Sequence, residues 1–461
     1  MTILMANIKE KMVAIIILVL LVLGALIRVS AYGDFRLSVG DLDTASYINS
    51  SKSSLFSWAS FTSRRLFTTN LLYKLANDEK KCNLEVISIP AAGDEKNRQV
   101  QSCFDNIALS QNILAVLAWC YLAWTTSRWL KTSFAKITAA IIILTFGFTP
   151  QIAGWDSILS AESLTLSMFV ISLALLEEIV FRIAERNEDF NSRKIVLIIL
   201  GWIVIYALWI FVRDVHIYTI LITLLLIATL LMIKKFRQSR TLLITGLALI
   251  VLFMLGYISA KASLRAEKFS LPHSFNDFII PSPGNMDFFK KFGMPDISSP
   301  AFENWFNSNA TSVYGLFLLS HPRFVAQTMS ENSFFFISDF LQPYFPFDSN
   351  RVMSDLINIG EFVHAQSNAI YLIDILMLLG LSIAAIKHRE SSLIAWSWLG
   401  WWIFLIAFAT LIVSFFGDTA GTRRHIYPSV EIFRLFTWIF LCVYIDRLIS
   451  NKSIKAIQGE I

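Results

Sequence analysis

Apolar runs of about twenty residues, separated by short polar stretches, repeat along this chain from end to end. Twenty helical residues at 1.5 Å each match the ~30 Å hydrocarbon core of a bilayer, so the runs predict transmembrane helices. Ten candidate spans follow: 12–31, 107–126, 135–152, 158–180, 195–212, 215–233, 241–260, 368–386, 392–416 and 426–446. The predicted fold is all-α, a polytopic transmembrane helical bundle forming one integral-membrane domain over 1–461. Two long segments interrupt it, 32–106 and 261–367. In the first, Phe67, Leu71, Leu72 and Leu75 recur at helical spacing among Arg64, Arg65, Thr68 and Lys74, as in an amphipathic helix lying along a membrane surface. The second opens on Pro- and Gly-rich sequence that reads as irregular (Leu271-Pro272-His273, Pro281-Ser282-Pro283-Gly284) and later carries an apolar piece, Val313–Ser320.

Basic residues sort the two sides. Lys9 and Lys11 precede the first span, and Arg128, Lys131 and Lys136 follow the second. Arg182, Arg186, Arg193 and Lys194 follow the fourth, and Lys234, Arg237 and Arg240 the sixth. The opposite connections hold few, so the positive-inside rule predicts cytoplasmic termini and two long extracytoplasmic loops. Val29-Ser30-Ala31 resembles a signal-peptidase site, but Arg28 interrupts the approach to it and the first run reads as an uncleaved helix.

Composition agrees with a membrane chain: 55% hydrophobic and 16% charged, against about 25% charged in soluble domains. The net charge of +5 comes from the basic connections. No basic patch interleaved with stacking aromatics lies outside the spans, which argues against nucleic acid as a partner. Cys120 and Cys442 sit inside apolar runs, whereas Cys82 and Cys103 share the first loop and could pair in an oxidising compartment. No Cys/His cluster has the spacing of a metal site, and divalent-metal dependence stays open.

The ionisable residues on the predicted outer side are the candidates for chemistry. They are Asp41 and Asp43 in Gly40-Asp41-Leu42-Asp43-Thr44-Ala45-Ser46-Tyr47, then Arg64 with Arg65. Further along come Asp156, Glu162 in Ser160-Ala161-Glu162-Ser163, Arg213, and Arg423-Arg424-His425. Ionisable groups near a span usually face the bundle interior because exposure to lipid is costly. Glu431 and Arg434, three apart on one helical face, read as a structural pair. Sugar transfer from a lipid phosphate needs a carboxylate to take the acceptor's proton and fixed cations where phosphate charge builds up. Arginine suits the second task because its planar fork holds two phosphate oxygens.

This ordered set resembles the GT-C superfamily of integral-membrane glycosyltransferases, including protein mannosyltransferases and the aminoarabinose transferase of lipid A. The resemblance rests on Arg28 in the first span, Gly40–Tyr47 after it, Ser63-Arg64-Arg65, Ile158–Leu164, Val212-Arg213-Asp214, and Arg423-Arg424-His425-Ile426-Tyr427-Pro428. It implies inverting transfer from a polyprenyl-phosphate sugar, a lipid-linked donor, to an acceptor on the extracytoplasmic side. It implies Asp43 as general base, with Asp41 as the fallback and Tyr47 as the spacing partner. Arg64, Arg213, Arg423, Arg424 and His425 would bind donor phosphate, and Asp156, Glu162 and Tyr47 would orient substrate. Two other readings are weighed against it, a transporter or flippase of lipid-linked sugars and a polysaccharide polymerase or ligase.

Overall fold

The computed structural model describes residues 2–33, 35–41, 43–77, 100–234, 236–342 and 351–458, with side chains of 2–7 and 452–458 left aside. Regular structure among these residues is helical. α1 (Thr2–Tyr32) leads into the first loop, which holds α2 (Thr44–Ser51), α3 (Ala59–Thr62) and α4 (Phe67–Ala76). Then come α5 (Asp105–Trp129), α6 (Ser133–Phe148), α7 (Pro150–Ala153), α8 (Glu162–Ala184), α9 (Arg193–Ile210), α10 (Thr219–Leu231) and α11 (Arg240–Ser263). The second loop carries α12 (Leu271–Ser274), α13 (Pro283–Lys291), α14 (Ala301–Trp305), α15 (Thr311–Ser320), α16 (Pro322–Glu331) and α17 (Arg351–Val363). The chain closes with α18 (Ala369–His388), α19 (Ser391–Gly417) and α20 (Thr422–Gln458).

Eight helices among the described residues are long and apolar enough to cross a membrane, or nine if the bent pair 133–148 and 150–157 is one span. Ten were expected. The expected span 135–152 is bent by 44° where Thr149 turns extended ahead of Pro150, because a residue preceding proline is pushed out of helical geometry. The expected span 426–446 lies inside α20, which is not among the eight and carries Arg423, Arg424, Glu431 and Arg434 near its start. α8 is the central helix, packed against α5, α9 and α19. On the periphery, Leu18, Leu26, Leu247, Ile250, Leu376 and Ile383 are exposed, apolar surface that suits lipid and not water. This is an integral membrane protein.

The expected apolar stripe of the first loop does form a helix, α4, but its buried face is the polar one: Thr68, Thr69, Asn70 and Tyr73. Thr68 donates to the Leu208 carbonyl (2.6 Å) and Asn70 to Ser60 and Arg65 carbonyls, while Leu75 stays exposed. Hydrogen-bonding groups gain most where they meet protein partners, and apolar ones can face the bilayer. The second loop is far more helical than its prolines suggested. Pro283 and Pro322 sit in first turns, where a missing N–H costs nothing, and Pro272 follows directly on a π-helical turn, Ala266–Ser270.

A short extended contact ties the first loop to the bundle. Val39 bridges both Val100 and Ile158, with Val39 N–H donating to Ser157 (2.8 Å) and Leu159 N–H to Val39 (2.9 Å). Cys103, just beyond, is disulfide-bonded. Cys82, its expected partner, lies outside the described residues, and Cys120 and Cys442 are free thiols. Because the chain is held at Val39, the residues that follow are delivered beside the start of α8.

Candidate active site

Asp41 and Asp43 flank the approach to α2. The backbone N–H of Asp41 donates to Thr44 Oγ1 (2.7 Å), and that hydroxyl donates to the Leu159 carbonyl (3.0 Å). Asp43 stands at the N-cap but makes no capping bond with its side chain, although aspartate ordinarily caps a helix there. Its carboxylate is turned instead toward three guanidinium groups: Arg65 at 2.5 Å, Arg64 at 3.6 Å, and Arg424 in direct contact.

Arg424, from the first turn of α20, is the hub. It reaches Asp41 at 2.7 Å, Asp43 in direct contact, and Glu162 through Nε at 3.4 Å. Glu162, at the start of α8 and fully buried, is also bonded to Arg213. Residues 383 positions apart in the chain thus share one site. Three carboxylates are interleaved with four guanidinium groups, which leaves one positive charge in surplus. Tyr47, one turn into α2, is buried, and its ring carries the Arg65 guanidinium at 4.2 Å, a cation–π contact. Ser46 accepts from Arg65 Nε at 2.7 Å.

Burial by itself would raise the Asp43 pKa, but Arg424, Arg65 and Arg64 outweigh it and hold the carboxyl at about 2. Burial raises the Tyr47 phenol, so it stays neutral. The second oxygen of Glu162 is buried beside the guanidinium groups. Among the described residues no three His, Cys, Asp or Glu side chains converge on a metal-sized point.

Of the residues expected here, Asp41, Asp43, Tyr47, Arg64, Glu162, Arg213 and Arg424 do come together. Arg423 does not. One position along a helix turns a side chain by about 100°, so Arg423 binds the Asp339 carbonyl and lies near the Phe340 ring. His425 sits at the rim, 3.4 Å from Asp418 and 3.0 Å from the Ala420 carbonyl. Asp418 also meets His273 at 3.0 Å. Burial works against its charge, but the two imidazoles and the Ala420 N–H outweigh it and lower its pKa.

Asp156 also lies away from the cluster. It is buried against Arg28 (2.8 Å) and accepts from Ser163 (2.5 Å), while Arg28 donates to Asn112 (2.8 Å). The pair ties α1 to the bent segment before α8. Glu431 and Arg434 do pair, at 2.6 Å, and His364 joins them at 2.5 Å from Glu431 and 2.7 Å from Thr149. Arg65 belongs to the site as firmly as its neighbour Arg64. Both arginines were visible in the sequence, but Arg64 is half exposed and Arg65 is the one held against Asp43 and Tyr47.

No protein-family model matches the chain, and no curated protein does. Among solved structures the chain is similar to the oligosaccharyltransferase of Archaeoglobus fulgidus. The AglB complex with an inhibitory peptide and a dolichol-phosphate is 14% identical, with a TM-score of 0.43, covering 96% of this chain and 52% of that one. The apo form gives 15% identity and a TM-score of 0.45 at the same coverage. The complex with Zn and sulfate gives 13% and 0.42, over 95% of this chain and 51% of that one. This chain therefore spans about half the length of the structures it resembles. A likeness at this level carries no residue-by-residue correspondence.

Proposed function

We propose that this chain is a membrane glycosyltransferase that moves a sugar from a polyprenyl-phosphate donor to an acceptor hydroxyl, with inversion. One observation carries the reading: Asp41, Asp43 and Glu162 interleaved with Arg64, Arg65, Arg213 and Arg424 at one end of a lipid-facing bundle. Buried charge clusters are poor devices for stability, because desolvation consumes most of the attraction. A site that gathers seven charged groups, most of them shielded from water, has a use for them.

The chemistry follows from the charges. Asp43, with its pKa held near 2, is a weak base while the guanidinium groups bind it. A donor phosphate arriving between them competes for Arg64, Arg65 and Arg424 and so returns basicity to Asp43. The acceptor O–H then gives its proton to Asp43 as its oxygen bonds the anomeric carbon. The bond from that carbon to the phosphate oxygen breaks on the opposite face. The departing polyprenyl phosphate keeps the electron pair, and the arginine forks hold the charge it gains. The base is unmasked only when the donor is in place. Asp41 is the alternative base. Arg213 pairs with Glu162, and Glu162 in turn orients Arg424.

Two observations support an extracytoplasmic site: the basic connections of the sequence lie at the other end, and Cys103 beside the first loop is disulfide-bonded. Transport of a lipid-linked sugar is the second reading, but its charges are expected at mid-membrane and in paired halves, whereas these gather at one end. The test is release of polyprenyl phosphate by the purified chain in proteoliposomes. Polyprenyl-phosphate mannose, glucose, galactose and arabinose are offered in parallel, with a membrane extract as acceptor. Release from at least one donor, lost in Arg424→Gln, is expected; no release from any donor speaks against the proposal.

A further inference from the structure

Two of the turns that bring arginines to the site have no regular structure of their own. Ser63-Arg64-Arg65-Leu66 joins α3 to α4 with Ser63 and Leu66 extended (ψ 170° and 165°). Arg213, between α9 and α10, is extended as well (ψ 143°). Extended backbone leaves carbonyls that no helix supplies with a donor, so side chains from elsewhere have to hold them. Asn70 of α4 takes the Arg65 carbonyl at 2.9 Å from within the loop. From outside the loop one residue reaches both turns, and it is Arg265.

α11 ends at Ser263, and Leu264 after it is left-handed (φ 49°), a conformation that leucine rarely adopts and that persists only where the surroundings impose it. Arg265 follows, only 4% exposed, and all five of its N–H bonds are taken. Nε and Nη2 donate to the two carboxylate oxygens of Asp214, at 2.7 Å each. Nη1 donates to the Phe61 and Ser63 carbonyls (3.0 and 3.3 Å), and Nη2 also to the Ser259 hydroxyl (3.2 Å). That hydroxyl donates in turn to the Phe61 carbonyl at 2.6 Å. Asp214 follows Arg213 in the chain and Ser63 precedes Arg64 and Arg65, so one guanidinium joins the turns that carry three of the four site arginines. Glu267, two residues on, accepts from Thr311 at the start of α15 (2.6 Å), which roots the same stretch in the second loop.

We propose that Arg265 is a positioning residue: it sets the separation between Arg213 and the Arg64–Arg65 pair, the cations that take the donor phosphate. It does so through Asp214 on one side and the Phe61 and Ser63 carbonyls on the other. With all five donors engaged it has none left for substrate, so it acts only through those two turns. Asp214, part of the Val212-Arg213-Asp214 stretch but outside the charge cluster, thereby gains a role. Lysine in place of Arg265 keeps the charge, and so the field at Asp43, but lacks the planar fork that spans a carboxylate and two carbonyls at once. The spacing of the cations matters because they act where phosphate charge builds up, and a displacement of about 1 Å there costs about 10²-fold in rate. The inference rests on the transfer reading for the chemistry and on the hydrogen bonds alone for the geometry.

Arg265→Lys in the full chain carries the test, on two readouts. In the release assay, kcat/KM for the donor per folded molecule should fall about 100-fold, while the amount of acceptor extract giving half-maximal rate stays that of wild type. A merely structural role would lower the folded fraction and leave kcat/KM per folded molecule unchanged. The second readout needs no donor. Trypsin cleavage after Arg64 and Arg65 in micelles, followed by mass spectrometry, should quicken about tenfold as the turn loosens. Cleavage after Lys290 and Lys291, exposed in α13, should keep its rate. If wild type releases no polyprenyl phosphate from any donor, the transfer reading fails and the cleavage rates alone decide the positioning role. If Arg265→Lys does not fold, Asp214→Asn takes both measurements, because that side chain is 39% exposed; a loss of about tenfold in kcat/KM is expected of it. Wild-type kcat/KM in the folded variant, or unchanged cleavage after Arg64 and Arg65, overturns the inference.

Discussion

Replacing Asp43 by Asn tests the electrostatic account of the site on two independent readouts. The amide keeps the shape of the carboxylate but removes its charge from among Arg424, Arg65 and Arg64. The folded pKa of Asp43 is depressed from 3.8 to about 2. At 1.36 kcal/mol per unit, its ionised form stabilises the fold by about 2 kcal/mol. The sign follows from the direction of the shift. A depressed carboxylate contributes stability that is fully present above its ordinary value and is lost as pH falls through the lowered one. Denaturant titrations in micelles, followed by tryptophan fluorescence, should therefore find Asp43→Asn about 2 kcal/mol less stable from pH 5 to 8. The gap to wild type should narrow between pH 4 and 2. In the release assay with the active donor, loss of a general base should lower turnover by about 10²–10⁴. The two results separate two claims. A gap that is absent at pH 7, or that does not change with pH, would refute the charge accounting. Undiminished turnover would remove Asp43 as base whatever its stability, and the same outcome in Asp41→Asn would end the carboxylate mechanism.

Three further outcomes are expected. Glu162→Gln leaves Arg213 and Arg424 without the fully buried carboxylate they share and should cost about 3–5 kcal/mol in the same titrations; a loss below 1 kcal/mol would mean the pair is solvated. Gly147→Ala puts a methyl 2.2 Å from the Trp119 ring, which is 1% exposed, so overpacking should destabilise by about 1–3 kcal/mol. A neutral result there would show that α5 and α6 can part at no cost. Reducing the bond at Cys103 should lower stability by about 2–4 kcal/mol, and alkylation with mass detection should find a newly reactive thiol at that position only after reductant; a thiol reactive from the start contradicts the disulfide.

Much of the fold was legible in the chain because lipid imposes a one-dimensional rule. A segment that crosses a bilayer must be apolar for its whole length and satisfy its own backbone, so run length alone predicts helices and their number to within one or two. The exceptions have local causes. Pro150 bends one expected span, and α20 carries four charges within its first thirteen residues. Pro283 reads as a break but opens a helix, as Pro322 does.

The candidate site was legible as an inventory and not as an arrangement. Hydropathy and the positive-inside rule were enough to predict that Asp41, Asp43, Glu162, Arg213 and Arg424 belong on one side, since charge near a span must find water or a partner. Sequence could not choose Arg65 over Arg64, or Arg424 over Arg423. Adjacent residues differ only in the direction of their side chains, and direction is decided by the packing of Leu66 and Ile426, both buried. Nor could it move Asp156 out of the set: its partner Arg28 is 128 residues away, and only the approach of α1 to the bent segment pairs them.

The Gly40–Tyr47 stretch shows where the division falls. By itself the sequence determined that two acids follow the first span and precede a helix. Tertiary structure decided their chemistry, because Val39 is stitched to Ser157 and Leu159 and the stretch is thereby laid against Glu162 and Arg424. A carboxylate's strength as a base depends on the charges within a few ångströms of it, and those charges come from four distant parts of the chain.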